Sequence, residues 1–395
     1  MSATHDLHPT TTGSNTLYLA FELGWTSWDL AFTTAIAQKP RLRTIPARDL
    51  DGLQREILCA RHRFALPGDA PVLSCYEAGR DGFWLHRYLQ HHAVTNLVVD
   101  AASIEVNRRA RRAKSDRLDV GKLLTMLIRY HGGERKLWSV VRIPTADDED
   151  RRQPHRELIA VKGQRTEHSN RIKGLLANIG LDVGVDDRLP ERLGQLRQWD
   201  GGPVPAELSA RILREFERWT LVDRQARDLE NAQRRAFRDD ETADVEKLRL
   251  LLNLKAIGPM SATLFVREFF GWREIKNRRE LASLAGLTPT PYDSGDSRRE
   301  PGISKAGNRR LRWMAVEIAW GWLRWQPNSA LSQWYQRRFG AGNARARKVG
   351  IVALARKLLI ALWRYLEKGE VPEGAEFTPW EKELNGRLPA AAKVG

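Results

Sequence analysis

Short apolar runs and helical spacings alternate along the first third of the chain. Runs separated by glycine or proline predict strands, and apolar side chains three and four positions apart predict helices. The predicted elements are strands at residues 17–21, 28–33, 41–45, 71–76 and 94–100 and helices at residues 47–64 and 80–92, followed by a third helix. The chain is therefore expected to begin with an α/β unit whose elements follow the order βββαβαβα.

That order is typical of a ribonuclease-H-like fold, in which metal-binding carboxylates lie at strand ends and on the helix after the last strand. Glu22 ends the first predicted strand and Glu77 the fourth, and Asp116 and Asp119 share one face of the third helix. Each acid taken alone is more often a solvated charge. Together they predict an Mg²⁺ site for phosphate chemistry. Asp29, on the second strand, is either a further ligand or an edge charge.

The pattern changes after Ile143-Pro144 and becomes almost entirely helical. Residues 207–231 place apolar side chains at the spacing of a coiled-coil seam. A helical hairpin that packs on its own core explains this spacing equally well, so both alternatives stay open. Residues 186–205, with three prolines and a Gly-Gly pair, are expected to form a connecting loop.

The last third of the chain predicts a mostly helical domain. Residues 251–262 resemble a helix-hairpin-helix, in which a tight turn offers backbone N–H groups to a DNA phosphate. Ala256 replaces the first glycine of that motif. A loop is expected at 286–307, followed by helices at 309–325 and 349–366. The polar end of the chain, from Val371, is expected to be loosely held.

Five segments follow from these patterns. They are a flexible start (1–15), the α/β domain (16–145), a helical, coiled-coil-like segment (150–245), the mostly α-helical C-terminal domain (246–370) and a tail (371–395).

Composition and charge narrow the class of protein. The 65 Lys and Arg residues outnumber the 49 Asp and Glu residues, which gives a net charge of +16 and favours a polyanionic partner such as nucleic acid. Cys59 and Cys75 are the only cysteines, so a disulfide scaffold and a cysteine-based zinc cluster are excluded. The sequence lacks a long apolar run and a secretory signal, so a cytoplasmic protein with no membrane partner is expected.

The basic residues concentrate in three runs, at 107–114, 298–312 and 337–348, and arginine outnumbers lysine in each. Any single run is as easily a solvated surface. Together they predict several contacts with a phosphate backbone and an affinity that falls as salt rises. The candidate nucleic-acid-binding residues are Arg108, Arg109, Arg111, Arg112 and Lys114 in the first run, and Arg298, Arg299, Lys305, Asn308, Arg309 and Arg312 in the second.

Ser294, followed by Gly295, is a candidate nucleophile. By spacing alone the pair indicates a turn. Lys305, Asn308 and Arg309 lie close in sequence, however, so the serine could attack a phosphodiester while cations stabilise the developing charge. The nine histidines are scattered, which disfavours a Ser-His-Asp triad, and the absence of a Walker A pattern gives no indication of ATP use.

These motifs resemble those of the DEDD-type insertion-sequence transposases of the IS110 type, which include Piv-like invertases and bridge-RNA-guided recombinases. The matching segments are FELGWTSWDLAF from Phe21, CYEAG around Glu77, KSDRLD at 114–119, GLTPTPYDSG at 286–295 and ISKAGNRRLR at 303–312. The resemblance spans residues 17 to 325. One departure stands out: the family usually has Asp where this chain has Glu22.

The resemblance implies a RuvC-like domain that holds Mg²⁺ through Glu22, Glu77, Asp116 and Asp119, and a C-terminal transposase domain whose nucleophile is Ser294. It also implies a homo-oligomer, dimer or tetramer, in which the two domains of different subunits form a composite site. The implied partners are double-stranded DNA of the element ends and target and a structured noncoding guide RNA, in the nucleoid of a bacterial cell.

The leading hypothesis is thus an RNA-guided transposase or recombinase that acts through a serine-linked intermediate. The first alternative is a metal-dependent junction nuclease that uses only the four carboxylates. The second is a catalytically inactive nucleic-acid-binding protein, for which Glu22 is the best argument.

Overall fold

The structure is a computed structural model that describes residues 15–36, 38–104, 116–290, 292–294, 297–299 and 302–381, with no side-chain description for residues 102, 116–119, 292–294 and 297–299. Internal contacts divide the chain into two units, Met1–Ile143 and Pro144–Gly395. No helix in the described part of the chain is long and apolar enough to cross a membrane.

The N-terminal unit contains a mixed five-stranded sheet. Its elements are β1 (Leu17–Leu23), β2 (Ser27–Thr33), β3 (Arg41–Pro46), α1 (Leu50–Arg63), β4 (Val72–Glu77), α2 (Trp84–His91), β5 (Val94–Val99) and α3 (Asp116–His131), with a 3₁₀ turn at Ala101–Ser103. The sheet order is β3-β2-β1-β4-β5. The first three strands are antiparallel, and β4 and β5 run parallel to β1 and to each other. The predicted α/β class and element order of this unit are confirmed.

Helices cover both faces of the sheet, which explains why the strands are almost continuously apolar. Leu19 and Phe21 of β1 belong to the core that contains α1 and α2. Tyr18 and Ala20, which alternate with them, belong to a second core that contains α3. Because successive side chains of a strand point to opposite faces, α3 lies on the face opposite α1 and α2.

The second unit is mostly helical. Its helices are α4 (Ala146–Asp150), α5 (Gln153–Ala177), α6 (Leu189–Gln195), α7 (Ala206–Asp239), α8 (Ala243–Leu252), α9 (Pro259–Phe265), α10 (Arg278–Leu284), α11 (Arg309–Trp325), α12 (Ala330–Tyr335) and α13 (Ala344–Lys368), with single π-helical turns at Val266–Phe270 and Gln336–Gly340. Strands β6 (Tyr292–Ser294) and β7 (Ser297–Arg299) form a small two-stranded sheet.

The apolar seam of α7 packs inside the same chain. Ile212 and Trp219 of α7 share a core with Ile172 and Leu176 of α5, and further along Val222 and Ala226 pack with Leu158 and Val161. The hairpin alternative therefore accounts for this seam without a second copy.

Two local expectations are wrong. The loop expected at 186–205 contains α6, because Pro190 stands in the first turn of that helix, where a proline is tolerated, and Leu189 and Leu193 are buried. The tail is also held in place as far as residue 381. Thr378 N–H donates to the Asn253 carbonyl at 2.7 Å, and Phe377 pairs with Leu254 in an isolated β-bridge. Residues 382–395 lie outside the described part of the chain.

Candidate functional site

Acidic residues of three neighbouring strands meet at one edge of the N-terminal sheet, which we call the acid edge (Glu22, Asp29 and Glu77). The register pairs Glu22 directly with Asp29. It also pairs Phe21 with Tyr76 in the parallel strands β1 and β4, so Glu22 and Glu77 are the next positions of adjacent strands. All three acids are partly exposed. Alternation along the strands places them on the α3 face of the sheet.

Helix α3 begins beside this edge. Its buried residue Val120 packs on that face of the sheet and lines a small cavity together with Asp29. Asp116 is the first residue of α3 and Asp119 lies in its first turn, so their backbone starts next to the acid edge. Their side chains are outside the described part of the structure. Among the side chains that are described, no group of three His, Cys, Asp or Glu residues is close enough to hold a metal ion.

A hydrogen bond and the state of a nearby thiol define the chemistry of this edge. The Thr44 hydroxyl donates to Asp29 Oδ1 at 2.5 Å, which orients that carboxylate. Burial, and secondarily the charge of Glu77, raise the pKa of the Cys75 thiol far above its ordinary value. Because only a thiolate is strongly nucleophilic, Cys75 is an inert core residue, and the chemistry of the edge rests on carboxylate oxygens.

Ser294 lies on a two-stranded ribbon, where a loop was expected. Tyr292 pairs with Arg299 and Ser294 with Ser297, so Ser294 is the last residue of β6. At the base of the ribbon, Thr290 N–H donates to the Gly302 carbonyl at 3.0 Å and Ser304 N–H to the Thr288 carbonyl at 2.9 Å. The loop expected over 286–307 is therefore wrong in part, because described residues of its two halves pair through their backbones.

Two glycines close the ribbon at the start of α11. Gly286 and Gly307 have φ values of +66° and +97°, and a Cβ on either would collide with backbone atoms of the opposite segment. Asn308 Oδ1 caps α11 by accepting from the N–H groups of Arg310 and Leu311, at 2.9 and 3.1 Å. The Arg312 guanidinium donates to the Ala285 carbonyl at 3.2 Å. Asn308 and Arg312, which the sequence suggests as nucleic-acid-binding residues, are thus hydrogen-bonded within the base of the ribbon.

The remaining candidate cations divide into two groups. Lys305 and Arg309 are exposed beside the base of the ribbon. Lys305 has a φ of +56°, a conformation that costs a lysine about 1–2 kcal/mol. The side chains of Arg298 and Arg299, and all of Arg108, Arg109, Arg111, Arg112 and Lys114, lie outside the described part of the structure.

The turn expected to resemble a helix-hairpin-helix joins α8 and α9. Ala256 adopts the left-handed conformation, with φ +78°, that the usual glycine would supply. Gly258 caps α9, and its N–H donates to Ser261 Oγ at 3.1 Å. The buried side chain of Gln326 anchors the turn by donating to the Lys255 carbonyl at 3.1 Å. The missing glycine therefore does not prevent the tight turn from forming.

One buried charged cluster was not predicted from the sequence. Glu268, on the π-helical turn Val266–Phe270, is 3% exposed and accepts two hydrogen bonds from Arg156 of α5, at 2.6 and 2.8 Å. Burial raises the pKa of Glu268, but the Arg156 hydrogen bond and the charges of Arg156, Arg152 and Arg310 outweigh it, so the pKa is lowered. The signal in the sequence is an Arg-Glu pair inside the otherwise apolar run LFVREFF.

The chain is similar in sequence to known proteins. Residues 248–336, which include the α8–α9 turn, the ribbon and α11, match the family described as Transposase IS116/IS110/IS902. The chain is 39% identical over 373 residues to the y4rJ protein of Sinorhizobium fredii, named as a transposase, and the alignment covers 91% of this chain and 94% of that one. It is 24% identical over 219 residues to the transposase for insertion sequence element IS1328 of Yersinia enterocolitica, covering 55% and 63%.

Proposed function

The chain belongs to the IS116/IS110/IS902 family of insertion-sequence transposases, and from that premise we propose that it cuts and rejoins DNA strands through a covalent intermediate on Ser294. The observation that carries the proposal is the acid edge beside the start of α3, because it gives the chain a carboxylate cluster suited to phosphate chemistry. The basic character of the chain, +16 overall, suits a DNA substrate.

The N-terminal unit is proposed to be RuvC-like, that is, ribonuclease-H-like. Its sheet order, with three antiparallel strands followed by two parallel ones, and the position of α3 support this assignment. The proposed magnesium ligands are Glu22, Glu77, Asp116 and Asp119, with Asp29 as a further candidate. The donor set fits a hard cation, because every member is a carboxylate. When bound, Mg²⁺ would neutralise charge on the reacting phosphate.

Serine chemistry accounts for strand rejoining without a nucleotide cofactor. The Ser294 oxygen forms a bond to phosphorus as it loses its proton, and the bond from phosphorus to the leaving deoxyribose oxygen breaks as that oxygen gains one. One phosphate ester replaces another, so the energy of the broken bond is retained for the reverse step. The exposed cations Lys305 and Arg309, beside the base of the ribbon, can stabilise the charge that develops on the phosphate.

The proposed partners are nucleic acids and a second copy of this chain. The α8–α9 turn, proposed to act as a helix-hairpin-helix, would contact the DNA backbone through main-chain N–H groups. A structured noncoding RNA would choose the sequence by base pairing, as in other guided systems. In a homo-oligomer, the serine of one copy would act with the carboxylates of another. Dependence on the RNA can be tested by adding ribonuclease to the reconstituted reaction.

A strand-exchange assay tests the mechanism. Ser294→Ala and Asp116→Ala, made separately, are expected to reduce excision or circle formation to background, because each removes a reacting group or metal ligand. Ser297→Ala is the matched control: Ser297 pairs with Ser294 across the ribbon, and its loss is expected to leave activity close to that of the unchanged chain. Full activity of either test variant would refute the mechanism. Strand cutting that persists only in Ser294→Ala would favour the junction nuclease.

A further inference from the structure

A cluster of one tryptophan and two arginines lies beside the acid edge. Trp25 occupies the turn between β1 and β2, and its side chain is 63% exposed. The guanidinium carbons of Arg48 and Arg80 lie 5.0 and 4.6 Å from the centroid of its ring. Both distances fall within the range of a cation–π interaction. The indole therefore fixes the positions of two cations that belong to different parts of the chain.

Asp81 contacts the same two arginines. Its carboxylate lies 3.3 Å from Arg48 and 3.7 Å from Arg80, and its side chain is only 7% exposed. One buried carboxylate cannot neutralise two guanidinium groups, so this cluster, which we call the Trp25 clamp (Trp25, Arg48, Arg80 and Asp81), carries a net positive charge.

Arg48 of the clamp has a strained backbone conformation. Arg48 has a φ of +68°, a conformation that glycine adopts freely and other residues adopt with strain. Its guanidinium remains accessible, because the side chains of Arg48 and Arg80 are 47% and 55% exposed.

The clamp lies at the same edge of the sheet as the carboxylates. Trp25 follows Glu22 by three positions and Arg80 follows Glu77 by three, so both belong to the same edge of the sheet. The acid edge repels phosphate, and cations next to it reduce that repulsion. Stacking on an indole uses the flat face of a guanidinium, so the N–H groups at its edge that do not face Asp81 can donate to phosphate oxygens.

We propose that Arg48 and Arg80 contact backbone phosphates of the DNA strand that is being cut, and that Trp25 and Asp81 are positioning residues for them. The inference rests on the proposed function, because it takes the strand at the acid edge to be DNA. A turn that is clamped only for stability would give the same ring contacts without any contribution to DNA affinity, and the experiment below separates the two.

The test is the salt dependence of binding to a fluorescently labelled duplex that carries an element end, measured by anisotropy without magnesium so that no strand is cut. Arg48→Gln and Arg80→Gln are each expected to reduce the slope of log affinity against log salt by about 1, since each removes one phosphate contact. The matched control is Arg63→Gln, which removes an exposed charge from the last turn of α1 and should leave the slope unchanged.

Variants of Trp25 test the positioning role. Trp25→Ala keeps both charges but removes the ring that positions them, and we therefore expect it to weaken binding several-fold. Trp25→Phe is expected to keep most of the affinity, because its ring still supports the guanidinium groups. Thermal melting confirms that each variant is folded. Arg80, which carries no unusual backbone angle, decides the outcome if Arg48→Gln folds poorly.

The possible outcomes are distinguishable. If the unchanged protein binds DNA and the slope for Arg80→Gln equals that of the control, the clamp is a structural feature and this inference is overturned, while the proposed function stands. If the unchanged protein binds the duplex at no salt concentration, the clamp makes no direct phosphate contact and this inference is overturned, while the strand-exchange assay with Ser294→Ala and Asp116→Ala decides the proposed function.

Discussion

Replacement of Gly307 by alanine should detach the ribbon that carries Ser294. A Cβ at Gly307 would lie 2.7 Å from the Leu284 carbonyl carbon and 2.9 Å from the Ser283 oxygen, and closer still to the Leu284 oxygen. All three are backbone atoms, so no side-chain rotation relieves the contact. The residue also has a φ of +97°, where alanine is strained by about 1–2 kcal/mol.

Gly302 provides a control that separates the two effects. Its φ of +108° carries the same kind of strain, but a Cβ there would meet no atom within 4 Å. Gly302→Ala is therefore expected to lower the free energy of unfolding by about 1–2 kcal/mol. Gly307→Ala adds a steric overlap, and we expect a total loss of about 3 kcal/mol or more, comparable with overpacking of a core on top of the strain.

Chemical denaturation of the full chain measures these losses, and limited proteolysis shows whether the ribbon opens locally. The expected result is a larger loss of stability for Gly307→Ala, early cleavage within residues 286–307, and strand-exchange activity well below that of Gly302→Ala. Equal stability and equal activity of the two variants would refute the argument that close backbone approach at Gly307 holds Ser294 in place.

Three further predictions concern the second unit. His155 is 4% exposed, and burial lowers its pKa from 6.5 to about 4, so the folded state favours the neutral imidazole. Stability is therefore lost as pH falls from about 6.5 toward 4, by roughly 3 kcal/mol in total. In His155→Phe, the free energy of unfolding should fall less steeply with decreasing pH over that range. Glu268→Ala removes the buried carboxylate that accepts two hydrogen bonds from the partly exposed Arg156, and it should cost about 2–3 kcal/mol, with a smaller added loss when Arg156→Ala is combined with it in a double-mutant cycle. Ala256→Gly removes the strain of an alanine in the left-handed conformation and should raise the free energy of unfolding by about 1 kcal/mol. A free energy of unfolding below that of the unchanged chain would contradict the strain assigned to the α8–α9 turn.

The N-terminal sheet could be predicted because its signals are local. Strands buried on both faces are continuous apolar runs bounded by glycine and proline, and the helices between them keep a clear apolar face. The acid edge followed from the same pattern, since an acid that ends such a run must lie where the strand meets the surface. Sequence reasoning could not exclude Asp29 from that edge, and the register places it directly opposite Glu22.

Features that depend on distant partners were missed. The ribbon around Ser294 forms because residues 286–290 pair with residues 302–305. No local sequence pattern predicts that pairing. The tail is held in place as far as residue 381 in part because Gln326, 0% exposed, donates to the carbonyls of both Lys255 and Glu376. Pro190 indicates a loop by residue type alone, but a proline in the first turn of a helix is compatible with that helix.

Mapping a covalent DNA–protein adduct tests the central claim most directly. The full chain, incubated with magnesium and a DNA substrate that is nicked so that rejoining is blocked, is digested with protease and nuclease and examined by mass spectrometry. The account predicts a nucleotide attached through phosphate to the peptide that contains Ser294, absent from Ser294→Ala and from Asp116→Ala. Strand cleavage with no adduct, or with an adduct on another residue, would contradict it.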